Sequence, residues 1–198
     1  MDRLLRLKHW QLFLLMFGIP FILQFFFAAA LAMTPDSMIV FSIIPIIMLL
    51  FIVIFFGWFY ALGTNLHKML PESVKMNLTR FKIFLLIPII YIATICVFMY
   101  FMFNNVSTTI EPLNMRLFGL IFGLIVPIHL FSMFCIFYCL YFNAKALKAV
   151  EWQRPVTFGD FAGEFFLLWF YPIGVWIIQP RVNKLFEKNS DPSTDLPN

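Results

Sequence analysis

Three polar side chains lie deep inside otherwise apolar sequence: Gln24, Thr94 and His129. Each stands about 11–14 residues from the basic end of its own hydrophobic run, roughly 16–21 Å along a helix at 1.5 Å per residue. An amide, a hydroxyl and a neutral imidazole can each donate and accept a hydrogen bond. Gathered at one depth, they have the chemistry to relay a proton or hold a solute. The simpler role for the same groups is bonding helix to helix, worth about 0.6 kcal/mol per bond inside a membrane, and that role is favoured here. A fourth group, Glu164, is the only carboxylate within an apolar run. It suits the start of a helix, where the macrodipole favours negative charge. It also suits pairing with a loop base, or with Arg181 if the chain doubles back at Pro172–Gly174. His129, Ser132, Cys135 and Cys139 fall within about 120° of one helical face. Gly119 and Gly123 have the spacing that lets two membrane helices approach closely.

These residues need long apolar elements to hold them. Four charge-free runs cover about Trp10–Met33, Ile39–Leu62, Ile83–Phe103 and Leu117–Phe142. Each has roughly 20 residues or more, enough for a helix to cross about 30 Å of hydrocarbon. They are too long and too uniformly apolar for barrel strands, which alternate. The composition agrees: 62% of the 198 residues are hydrophobic, 28 of them Phe, and 12% are charged, about half the charge of a soluble domain. A chain this short cannot hide so much apolar surface from water. The expectation is one polytopic domain over residues 1–188 and a polar tail, Asn189–Asn198, without fixed structure.

Charge placement orients the runs. Bases crowd the N-terminus (Arg3, Arg6, Lys8), the segment Gly63–Lys82 and the segment Asn143–Asp160. Thr34–Met38 and Asn104–Met115 carry Asp36 and Glu111, with no base before Arg116. Lys and Arg hold loops on the cytoplasmic side, so the N-terminus is expected inside and the two acidic connections outside. Ala30-Leu31-Ala32 matches a small-residue cleavage pattern, but the run before it is longer than a signal peptide's apolar core.

A fifth apolar run, Phe161–Ile178, contains Pro172-Ile173-Gly174 and is followed by Arg181, Lys184 and Lys188. A crossing would put these bases outside. A re-entrant or interfacial element keeps 13 of the 14 bases inside, leaving only Arg116 out. Trp169, Tyr171 and Trp176 suit the headgroup level. The expected fold is therefore an all-α, four-helix transmembrane bundle with a re-entrant or interfacial helical segment at 161–178. Beyond it, Lys184 and Lys188 are placed to meet anionic lipid. Each of the four spans holds one proline (Pro20, Pro45, Pro88, Pro127), a pattern open to reading as a duplicated hairpin or as ordinary tolerance of proline in membrane helices.

No phosphate-binding glycine loop, nucleophile elbow or pair of catalytic carboxylates is present. His9 and His67 lie far along the sequence pattern from His129, so neither a metal site, a cofactor nor an enzyme is expected. The basic loops act as topology signals, and no nucleic acid is expected as a partner. The cysteines, Cys96, Cys135 and Cys139, sit in apolar runs as small core residues. The sequons at Asn77 and Asn105 are short enough to arise by chance, and the first is on the expected cytoplasmic side.

The runs Leu7-Lys8-His9-Trp10-Gln11-Leu12-Phe13 and Phe170-Tyr171-Pro172-Ile173-Gly174-Val175-Trp176-Ile177-Ile178-Gln179-Pro180-Arg181-Val182-Asn183 resemble segments of uncharacterised small multipass membrane proteins of Bacteroidetes. The resemblance implies a bacterial inner membrane and carries no activity with it. The expected role is that of a structural or accessory membrane protein, whose partners are the lipid bilayer and either its own copies or another membrane protein. A small oligomeric transporter or channel with a midplane polar site is the alternative. A reporter fused after Asn198 should read cytoplasmic; a periplasmic signal would require a fifth crossing.

Overall fold

Hydrocarbon offers the backbone no hydrogen bonds, so a segment that lies in it must satisfy its N–H and C=O groups internally. In the computed structural model, which describes residues 2–33, 38–105 and 115–190, the four apolar runs are helices. The elements in order are α1 (Asp2–Leu5), α2 (His9–Phe13), a π turn (Leu14–Gly18), α3 (Ile19–Met33), α4 (Met38–Lys68), α5 (Leu78–Asn105), α6 (Met115–Trp152), α7 (Phe158–Trp169) and α8 (Tyr171–Ser190). α2, the π turn and α3 form one rod, His9–Met33. Among the described residues, four rods are long and apolar enough to cross a membrane, with qualifying stretches of 25, 26, 24 and 30 residues. Most of the two connections expected outside, Thr34–Met38 and Asn104–Met115, and most of the tail Asn189–Asn198 lie outside the described residues, as does the sequon's Ser107.

Three helices outrun their apolar segments. α4 continues to Lys68, α5 begins at Leu78, and α6 runs on to Trp152. Hydropathy marks where lipid ends, whereas a helix ends only where its backbone bonding stops. The extension of α6 matters most, because it carries Lys145, Lys148 and Glu151 on a rigid element. Pro45, Pro88 and Pro127 lie within continuous helices. Before Pro20 the chain widens instead: Ile19 N–H reaches Leu14 O, five residues back, the spacing of a π turn.

Consecutive rods pack side by side (α3 on α4, α4 on α5, α5 on α6), and α4 also touches α6. α7 lies on α6, and α8 lies on α7 and α2. The fully buried side chains gather towards the charged end: Trp58, Phe59 and Leu66 of α4, Phe81 of α5, Phe142 and Leu147 of α6, Phe161 of α7 and Ile178 of α8. Phe81 stacks on Phe142 with ring centroids 4.4 Å apart. By contrast no side chain of α3 is buried; Phe25 is 69% exposed and Met33 85%. The molecule thus has a dense core in one half, and in the other its helices turn apolar side chains outward.

The fifth apolar run is a helical hairpin. α7 stops at Phe170, whose φ of −88° and ψ of 55° leave the helical region, and Ile173 and Gly174 N–H both bond Phe170 O at 3.0 and 2.9 Å. Pro172 stands in the first turn of α8, where its missing N–H has no helical partner to lose. The tip lies against the bundle: Trp169 packs edge-on to Phe137 at 5.0 Å and Tyr171 edge-on to Phe55 at 5.3 Å. Phe137 precedes Lys145 on α6 by about 12 Å of helix rise, so the hairpin enters from the charged end and turns back at that depth. Its two helices approach so closely that a Cβ on Gly174 would stand 1.8 Å from Leu167 O. Gly174→Ala should therefore lower stability by about 1–3 kcal/mol through overpacking, read as thermal unfolding in mild detergent. Gly163→Ala, whose Cβ meets nothing within 4 Å, should stay within about 0.5 kcal/mol of the parent.

Candidate functional site

Two polar clusters sit where the hairpin meets the bundle. The first is ionic. Lys148 and Glu151 are one helical turn apart on α6 and so share a face. Glu164 comes from the middle of α7 and Arg181 from the middle of α8. Lys148 Nζ lies 2.9 Å and Arg181 Nη2 2.7 Å from the same oxygen of Glu164, Oε1. Arg181 also grips Glu151 with two nitrogens, its Nε bonding Glu151 Oε1 at 2.7 Å. Two cations meet two carboxylates, and the sum is neutral. The Glu164 side chain keeps only 7% of its surface. Burial pushes its carboxyl upward, but the hydrogen bonds from Arg181 and Lys148 outweigh burial and hold it below its ordinary value. Arg181 is raised, chiefly by its bonds to Glu151 and against its own burial.

The second cluster is neutral and centres on Gln179, which is fully buried. Trp58 Nε1 donates to Gln179 Oε1 at 3.0 Å. The two N–H groups of Gln179 Nε2 are shared among Leu5 O at 3.0 Å, Leu7 O at 2.9 Å and Asn183 Oδ1 at 3.1 Å. Asn183 Nδ2 adds a bond to Leu7 O at 3.2 Å. The cause is the break between α1 and α2: carbonyls at a helix end have no intrahelical donor, and buried ones must find another. Gln179 and Asn183, one turn apart on α8, supply it. His9 and Phe13 then pack on Trp176, with ring centroids at 4.8 and 5.5 Å.

The three midplane candidates are not brought together. Gln24 is exposed on α3, which packs against α4. Thr94 is exposed on α5, and its hydroxyl donates to Ile90 O of its own helix at 2.9 Å. His129 is exposed on α6, its Nδ1 3.1 Å from the hydroxyl of Tyr91 on α5. Of the patterned face of α6, Ser132, Cys135 and Cys139 are buried, while His129, at the edge of that arc, is outside. Glu164 and Arg181 are direct partners. Lys148 is the loop base expected for Glu164; sequence reasoning missed Glu151, Trp58, Gln179, Asn183 and Tyr91. The signals were spacings: 148 and 151, and 179 and 183, each one turn apart, and a hydroxyl-bearing ring at mid-span.

Asn143, also fully buried, reaches Phe59 O at 3.4 Å with its amide nitrogen, while its Oδ1 has no hydrogen bond. Near the same end His67, Lys75, Met76, Asn77 and Leu78 line an open groove of about 460 Å³, and His67 Nε2 contacts Met76 O at 3.0 Å. Among the described residues no group of three or more His, Cys, Asp or Glu is placed to hold a metal. The three cysteines are buried and unpaired.

Four membrane-length apolar helices with a folded-back helical hairpin make this an all-α integral membrane protein. Comparison with protein-family models, curated proteins and solved structures finds no match to the chain.

The polar clusters bond protein to protein, so their chemistry is that of fixing geometry. Glu164 takes up its proton at lower pH folded than unfolded. Its contribution is therefore complete above about pH 4.5, the ordinary value, and is lost as pH falls through the folded value. Glu164→Gln should flatten this acid limb. At neutral pH it should cost about 3 kcal/mol, the lower end for breaking a buried pair, because Arg181 keeps 29% of its surface. Melting curves from pH 3 to 7 check both effects.

Proposed function

We propose that the chain is a structural or accessory protein of a bacterial inner membrane, both termini cytoplasmic, acting through helix packing with its own copies or with another membrane protein. The observation that supports this is the division of the molecule. Its polar interactions at the charged end are spent holding the hairpin and the N-terminal helices. Across α3 and the middles of α5 and α6, apolar side chains face outward, among them Phe25 at 69%, Leu124 at 65% and Leu130 at 63% exposed. A polar pair, half-buried Tyr91 and exposed His129, borders that outer surface. Catalysis plays no part in this reading. A transport path asks for polar groups converging inside the bundle, whereas Gln24 and His129 are exposed and Thr94 bonds its own helix.

Purification in mild detergent should recover an assembly heavier than one 23.3 kDa chain, by light scattering corrected for detergent, containing further copies or a copurifying membrane protein. A lone monomer, in detergent and after crosslinking in intact membranes, would remove the reading. Solute flux in liposomes that is lost with His129→Leu would favour transport instead.

A further inference from the structure

Tyr91 and His129 stand at matched depth. The two spans enter from opposite faces, Tyr91 about 20 Å of helix rise into α5 and His129 about 21 Å into α6, and the contact between them fixes both at one level inside the crossing. Their surroundings are apolar and outward-facing: Ile90 is 57% exposed, Ile128 42% and Leu130 63%. The hydrogen bond of the pair, 3.1 Å between the Tyr91 hydroxyl and His129 Nδ1, leaves its hydrogen-bonding capacity half used. If the hydroxyl donates to Nδ1, then Nε2 carries a proton and the phenolic oxygen can still accept. If Nδ1–H donates to the oxygen, then the hydroxyl proton is free and Nε2 can accept. Either tautomer leaves one donor and one acceptor, side by side, where lipid supplies neither.

We infer that this pair is the centre of a two-fold interface with a second copy of the chain, an inference that rests on the packing role proposed above. Copies inserted with one topology carry the pair at one depth. A two-fold axis along the membrane normal therefore brings the leftover donor of each copy to the leftover acceptor of the other. The result is a closed ring of four hydrogen bonds: Tyr91 to His129 within each chain, and His129 to Tyr91 between chains, twice. An isologous contact needs such self-complementarity, whereas an unrelated helix would have to offer a donor and an acceptor at that same depth. Around the ring, Ile125 and Met133, one turn either side of His129, and Phe98 on α5 are 41%, 38% and 55% exposed and supply apolar contact.

The test is energy transfer between donor- and acceptor-labelled full-length chains in phosphatidylcholine–phosphatidylglycerol vesicles, titrated against lipid. The parent should associate. His129→Leu and Tyr91→Phe should each raise the protein density needed for half-maximal transfer roughly fivefold to tenfold, the loss of two interchain bonds of ordinary membrane strength. Val53→Ala, exposed on α4 and away from the outward faces of α3, α5 and α6, should leave it unchanged. Tyr91→Phe removes one oxygen only, so it keeps the test valid if His129→Leu misfolds; helicity and melting identify such a failure. Parent chains that associate while both variants match them would overturn the interface and leave the packing role standing. A monomeric parent that copurifies with another membrane protein would also overturn the interface alone. A monomeric parent with no partner would overturn both.

Discussion

A carboxylate taken almost wholly out of water constrains everything at the charged end of this protein. Glu164 can stay ionised there only with cations in contact, and the two it has come from different helices, Lys148 of α6 and Arg181 of α8. Satisfying it fixes the position of three elements at once. α6 must continue as a helix beyond the hydrocarbon to present Lys148, α7 must lie along α6, and α8 must run back past α7 to deliver Arg181. Removal of any one partner leaves a buried charge uncompensated, which is far more unfavourable than the intact group is favourable. The network is thus better understood as a specification of arrangement than as a source of net stability.

The arrangement divides the molecule into halves built on different physics. At the charged end the helices are held by buried aromatic packing and by polar bonds whose members are almost all engaged, much as in a soluble core. Farther along, α3 and the middles of α5 and α6 keep their apolar surface outward, and lipid or another helix serves equally well as neighbour on hydrophobic grounds alone. In that half only dispersion, shape and hydrogen bonding distinguish one neighbour from another. This is why a single tyrosine–histidine pair carries so much more information there than it would on a surface facing water.

Much of this was legible in the sequence. The helices of the four spans followed from run length and absence of charge, and the folded-back segment from Pro172, Gly174 and the bases beyond Ile178. What stayed hidden depended on neighbours that sequence does not supply. Gln24, Thr94 and His129 share a depth in the sequence pattern, but depth does not fix direction: Gln24 and Thr94 are exposed, and Thr94 bonds its own helix. The role of Gln179 was invisible for a related reason. Its partners are carbonyls exposed by a helix break at Leu5–Lys8, and nothing in the side chains of that segment announces where the break will fall. The apolar runs marked the lipid-crossing stretches and not the helix ends, since a helix such as α6 leaves the lipid without leaving its own bonding pattern.

The Gln179 cluster joins residues 172 to 175 positions apart in the chain. Membrane helices are laid down in order as the ribosome delivers them, so for most of that time the carbonyls of Leu5 and Leu7 stand next to a site that has not yet been synthesised. Only when α8 emerges and turns back can the first turns of the protein reach their final state. The two ends of the described fold therefore lock each other, and a single glutamine amide is the joint between them.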